Sequence, residues 1–134
     1  MTLVDTNVLL DVLTDDPRWY DWSATELSRA ALRGPLLVND VVLAELSTRY
    51  EQIEEVDAAI AELSLEHVEM PRLALFAAAK VFQVYRKRGG TRTGVLPDFF
   101  IGAHAAAAGL PLLTRDARRY QTYFPTVELI APDP

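Results

Sequence analysis

The chain contains no cysteine and only two histidines. The first absence excludes disulfides, thiolate metal sites and thiol nucleophiles. The second leaves zinc sites and histidine-based triads almost without raw material. No apolar run reaches the roughly 18 residues that a membrane-spanning helix needs. The opening MTLVDTNVLL has no basic flank before its apolar stretch, so no signal peptide is expected and a soluble cytoplasmic protein is. Neither GxGxxG nor the Walker-type GxxxxGK pattern occurs, so dinucleotide and P-loop phosphate sites are unsupported.

What is present is ordinary globular material. The 134 residues are 50% hydrophobic and 24% charged. That composition predicts one domain spanning residues 1–134, large enough to bury about two-thirds of its unfolded surface. The formal net charge is -6, and nucleic-acid binders are usually basic. The average conceals an asymmetry. Residues 1–71 carry 15 acids against 4 bases, and residues 72–119 carry 9 bases against 2 acids. A chain divided by charge in this way is to be read for a polyanion or a charged partner as well as for solvated helix faces.

Short apolar runs alternate with helical patterns along the chain. Thr2 to Asp5 and Leu36 to Val38 read as buried strands, Leu65 to Met70 as extended, and Pro111 to Thr114 and Thr126 to Ile130 as further strands. Helices are predicted over Val8–Leu13, Asp21–Arg33, about Val41–Tyr50, about Gln52–Ser64, Pro71–Arg88 and Asp98–Gly109, with a helical turn over Asp116–Tyr120. In the Pro71–Arg88 segment, Leu73, Phe76, Ala77, Lys80, Val81 and Val84 follow the rhythm of an apolar stripe with one polar interruption. Gly89 to Pro97 reads as a flexible loop. The alternation predicts an α/β fold with a mainly parallel sheet covered by helices.

Four carboxylates stand out by position. Asp5 closes the first strand, and ligands in open α/β sheets bind outside the carboxyl ends of the strands. Asp116 follows the Pro111–Thr114 strand by two residues, Asp98 starts a helix, and Glu45 lies among apolar neighbours in VVLAELS. Asp5, Asp98 and Asp116 also suit helix capping. Glu45 has no such role, and a lone Glu there requires a polar cleft or a cation. Several acids at one sheet edge repel one another, and a hard divalent cation such as Mg²⁺ or Mn²⁺ removes the conflict. His67 and His104 read as solvated or structural. Lys80, Arg86, Lys87, Arg88 and Arg92 form a run without an acid, and Arg115, Arg118 and Arg119 flank Asp116. These suit either RNA phosphates or a solvated surface. Trp19, Tyr20 and Trp22 cluster as core or as an exposed groove.

VDTNVLLDVL, LAEL around Glu45, PDFFIGAHA around Asp98 and LLTRDARRY around Asp116 resemble, in order and spacing, the signature of the PIN-domain family. Within it the length and layout look most like the VapC-type toxins of prokaryotic toxin–antitoxin pairs. The resemblance implies a three-layer α/β/α sandwich around a mainly parallel sheet of four or five strands. It also implies a Mg²⁺-dependent endoribonuclease that leaves a 5′-phosphate and a 3′-hydroxyl, with Mn²⁺ as a substitute ion. Carried over by position, Asp5, Glu45, Asp98 and Asp116 are the catalytic acids. Asp5, Asp98 and Asp116 hold the metal, Glu45 binds through water or orients the nucleophile, and Asn7 and Thr114 support them. Arg115, Arg86, Arg88 and Arg92 are candidate RNA contacts. A cognate antitoxin, a tRNA or ribosomal RNA substrate and a homodimer are the implied partners.

Rival readings have less behind them. A haloacid-dehalogenase-type phosphatase wants a second Asp two residues after the first, where this chain has Asn7. A receiver domain wants a late lysine, and the only lysines, Lys80 and Lys87, precede Asp98. A catalytically silent PIN-like module that binds RNA or protein would be marked by loss of an acid, and all four are present.

Overall fold

A computed structural model describes residues 1–134. Five strands run parallel in one sheet of order β3-β2-β1-β4-β5. They are β1 (Thr2–Val4), β2 (Leu36–Val38), β3 (Leu65–His67), β4 (Leu112–Leu113) and β5 (Leu129–Ile130). Seven helices connect and cover them: α1 (Thr6–Leu13), α2 (Tyr20–Arg33), α3 (Asp40–Ser47), α4 (Ile53–Glu62), α5 (Arg72–Lys87), α6 (Leu96–Ala108) and α7 (Ala117–Tyr123). Every residue of β1, β2 and β4 is buried. Successive strand side chains point to opposite faces, so both faces of the central strands are covered. This is the expected three-layer α/β/α sandwich, with five strands rather than four.

The strands are brief because the chain needs only two or three apolar residues to cross this small core before turning. Leu3, Val4, Leu37, Val38, Leu112 and Leu113 form the centre of the core with Val8, Leu9, Phe99 and Ile101 from the helices. Most predicted boundaries fall within a few residues of the observed ones, as fraying ends allow. The largest shifts are of three residues: α3 ends at Ser47 rather than about Tyr50, β3 at His67 rather than Met70, α7 runs on to Tyr123 rather than Tyr120, and only Leu129–Ile130 of the Thr126–Ile130 run pairs with β4. Gly109 ends α6 in the left-handed conformation at φ 64°, which costs glycine no Cβ clash.

The apolar rhythm of α5 is only partly the face it buries: Ala77 and Val81 of the predicted stripe pack against the core. Ala74 and Ala78 are the residues buried in this helix, while Leu73, Phe76 and Val84 remain exposed. Small side chains permit the close packing of α5 on α6, with Ala77, Val81, Phe82 and Tyr85 half-buried against the core beside them. Asn39 caps α3, its Oδ1 accepting from the Val42 N–H at 2.9 Å. Its Nδ2 lies 3.2 Å from Nδ1 of buried His104. Burial holds the His104 imidazole below its usual pKa range. His67 meets Asp40 at 2.6 Å near the surface. Both histidines therefore have local polar partners outside the acid group.

The strand order has one point where the chain reverses direction across the sheet. From β1 it moves outward through β2 to β3, then returns to place β4 on the other side of β1. The carboxyl ends of β1 and β4 lie side by side at this reversal, which is where such folds bind ligands. Asp5, Asn7, Thr114 and Asp116 all follow those two strand ends.

Candidate active site

Asp5 is the centre of the site. It is 4% exposed and serves two purposes. Its Oδ1 accepts from the Thr6 N–H at 2.7 Å, which caps α1. Its Oδ2 accepts from the Thr114 hydroxyl at 2.8 Å and from the Tyr120 hydroxyl at 2.9 Å. Capping and chemistry are thus properties of one residue. Burial raises the Asp5 pKa to about 6, the charge of Asp98 adds to that rise, and the three hydrogen bonds oppose it.

Glu45 enters from α3, half-buried, and its Oε1 accepts from the Thr6 hydroxyl at 2.8 Å. Thr6 therefore touches both acids, through its N–H and its side chain. Burial raises the Glu45 pKa, the Thr6 hydrogen bond opposes the rise, and Asp98 reinforces it. Asp98 lies in the first turn of α6 and caps nothing, since the capping position is Val95. Its pKa is also raised, first by burial, with Arg119 pulling it back and Asp116 pushing it up. Arg119 of α7 donates through Nη1 to Asp98 Oδ2. Asp116 precedes α7, is exposed, and makes no side-chain capping bond.

The supporting residues join the two strand ends. Thr114 Oγ1 donates to Asp5 and accepts from the Asp116 N–H at 3.0 Å. Asn7 Nδ2 donates to the same hydroxyl oxygen at 3.5 Å, and Asn7 Oδ1 accepts from the Arg115 N–H at 3.2 Å. Tyr120 has no counterpart among the sequence-derived site residues. It reads as a core aromatic in a short helix, and it is 1% exposed. Its hydroxyl completes the hold on Asp5. Burial and the charges of Asp5, Asp98 and Glu45 keep the phenol's pKa well above its usual range, so it remains a donor.

The basic residues divide. Arg115 Nε donates to buried Asp11 at 2.7 Å, and Asp11 also accepts from the Ser23 hydroxyl at 2.6 Å. The Arg115 guanidinium carbon stands 5.1 Å from the Trp19 ring centroid. This residue ties β4 to α1 and α2, a structural task that the sequence does not disclose. Arg86 lies over Phe82 and Arg88 over Tyr123, while the Arg92 N–H donates to the Tyr85 hydroxyl. All three side chains are exposed on the end of α5 and the loop that leads to Asp98. Beside Asp116, Trp19, Arg115, Arg118 and Gln121 line a cavity of about 640 Å³ that the C-terminal residues help to close.

Electrostatics link the four sequence-derived acids in one group: Asp98 acts on Asp5 and on Glu45, and Asp116 acts on Asp98. No three of them form a closed metal cage as they stand. Their chemistry nevertheless fits a hard divalent cation. The donors are oxygen only, burial and, second to it, neighbouring charges push three of them toward protonation, and a guanidinium already sits on Asp98 as a positive stand-in.

Comparison with known proteins agrees with this architecture. The chain resembles VapBC2 of Rickettsia felis, solved bound to a DNA fragment from the promoter. That match has a TM-score of 0.74 and 19% identity over 98% of both chains. VapBC-1 of nontypeable Haemophilus influenzae gives a TM-score of 0.71 at 16% identity over 97% of this chain and 96% of that one. VapBC-5 of Mycobacterium tuberculosis, from a toxin–antitoxin family, gives 0.59 at 20% over 98% of each. No curated protein matches. The PIN domain family matches residues 2–125. With a match that takes in nearly the whole chain, the protein belongs to the PIN-domain family.

Proposed function

We propose that the protein is a Mg²⁺-dependent endoribonuclease and the toxin of a toxin–antitoxin pair, with its activity centred on Asp5, Glu45, Asp98 and Asp116. The observation that carries the reading is the shared electrostatic strain of the site. Burial and one another's charges push Asp5, Glu45 and Asp98 upward in pKa, at the sheet's ligand-binding edge. A structural role gives no reason to gather acids in this way.

Asp5, Asp98 and Asp116 would hold the cation, which when bound supplies the Lewis acidity that activates water and steadies charge on the phosphate. Thr6, Thr114 and Tyr120 fix the orientation of the Asp5 carboxylate. Glu45, held by the Thr6 hydroxyl, orients the attacking water and accepts its proton. Asn7 braces the loop after β4 and so sets the position of Asp116. Water is the nucleophile, so the chain needs neither cysteine nor a histidine pair. The exposed guanidinium groups of Arg86, Arg88 and Arg92 are suited to flanking phosphates. Arg115, turned to Asp11, acts chiefly as a brace.

Support for a cognate antitoxin as partner comes from the likeness to VapBC assemblies; a second copy of this chain is the partner that the family resemblance implies. The exposed Leu73, Phe76 and Val84 of α5 are apolar surface available for a partner to cover. The test is brief expression without a partner, followed by mapping of 5′-phosphate ends in total RNA. New, discrete ends and growth arrest are expected. Purified protein should cut RNA with Mg²⁺ or Mn²⁺ and stop in EDTA. Normal growth with intact soluble protein, or cleavage that survives EDTA, overturns the reading.

A further inference from the structure

Three arginines follow β4 within five residues, and they have different fates. Arg115 is spent on Asp11, and Arg118 is exposed. Arg119 alone reaches an acid of the site. Its Nη1 donates to Asp98, and no other protein oxygen accepts from its guanidinium. Both side chains are roughly one-quarter exposed, so the pair reaches solvent rather than lying in the core. Arg119 also lies three residues after Asp116, so about one helical turn separates it from a second acid assigned to the cation.

We propose that Arg119 is the resident counter-ion of the pocket: it holds Asp98 while no divalent cation is bound, yields that carboxylate to the cation, and turns its guanidinium to an RNA phosphate. The proposal rests on the metal-dependent nuclease reading. A guanidinium and a divalent cation compete for the same carboxylate lone pairs. The donors left free on Arg119 form the planar fork that matches phosphate oxygens. Loading the pocket and engaging the substrate are then one exchange of partners.

Direct Mn²⁺ titration of the RNA-free protein tests this, followed by calorimetry or by the spin-resonance signal of the free ion. Arg119→Ala is compared with Arg119→Gln, which keeps most of the side-chain stem, and with Arg118→Ala, which removes an equal charge next door. Thermal unfolding confirms that each variant is folded. Loss of a unit charge from the cation's neighbourhood should tighten Mn²⁺ binding about ten-fold in both Arg119 variants, and less than about two-fold in Arg118→Ala. At saturating Mn²⁺, KM for an oligoribonucleotide should rise in the Arg119 variants. Unchanged or weaker Mn²⁺ binding in folded Arg119 variants, an equal gain in Arg118→Ala, or an unaltered KM overturns the proposal. Wild-type protein that binds no Mn²⁺ overturns the nuclease reading along with it.

Discussion

Replacing Asp5 by asparagine separates the cost of this carboxylate from its use. In the metal-free protein the Asp5 pKa is about 6, against an ordinary value of 3.8. The folded state therefore disfavours the charged form. That penalty is absent well below pH 3.8, grows as pH rises between the two values, and is complete above pH 6. At about 1.36 kcal/mol per unit it reaches roughly 3 kcal/mol at pH 7.5 and falls to roughly 1 kcal/mol at pH 4.5. The neutral amide escapes the penalty, but its NH₂ group faces the Thr114 and Tyr120 hydroxyls, at a pH-independent cost of about 1–2 kcal/mol. The variant should be more stable than the parent by about 1–2 kcal/mol at pH 7.5 and level with it or weaker at pH 4.5. The pH-dependent difference, about 2 kcal/mol or some 6–10 °C in Tm, does not depend on the hydrogen-bond cost. Thermal or urea unfolding in EDTA at the two pH values measures it. A stability difference that stays constant with pH would refute the reasoning.

Other substitutions probe the remaining contacts. Tyr120→Phe removes only the hydroxyl on Asp5, and should raise the Mg²⁺ concentration for half-maximal cleavage by about ten-fold or more while KM for RNA holds steady; a Mg²⁺ titration of activity reads this. Arg115→Ala leaves Asp11 buried with Ser23 as its remaining partner and should cost about 3 kcal/mol in urea unfolding, against less than about 0.5 kcal/mol for the exposed Arg118→Ala. Gly102→Ala places a Cβ against the Phe124 ring and should destabilise by about 1–3 kcal/mol, seen as a lower Tm with the cleavage pattern unaltered. Saturating Mn²⁺, at about a hundred times its Kd, should add about 2.7 kcal/mol of stability that EDTA removes.

Much of this site is legible in the sequence because the relevant residues lie at element ends. Asp5 and Asp116 follow apolar runs, so their place at the sheet edge comes from strand polarity alone. Glu45 is conspicuous among valines and leucines. Tyr120 is illegible for the opposite reason. An aromatic in a short helix looks like packing, and its hydroxyl gains meaning only where it meets a residue 115 positions away. Arg119 cannot be told from Arg118 without knowing how α7 is rotated. Asp11 is a buried acid that no periodicity marks, so the task of Arg115 stays hidden with it. In α5 the close approach of α6 buries Ala74 and Ala78 most deeply and leaves Leu73, Phe76 and Val84 of the predicted stripe exposed.

The central position of β1 has a consequence for the chain as it is made. Asp5 is among the first residues synthesised, yet two of its three hydrogen-bond donors, Thr114 and Tyr120, are among the last. Three of the four acids exist by residue 98, but beyond the Thr6 link between Asp5 and Glu45 the site has no closure until β4 has been laid beside β1 and α7 has followed. Contacts so distant in sequence form late in folding. A chain stalled or cut before Thr114 would have most of the charges and no site. The fold thereby makes the pocket a property of the nearly finished molecule, which on the nuclease reading is a safeguard for a cell that synthesises a ribonuclease on its own RNA.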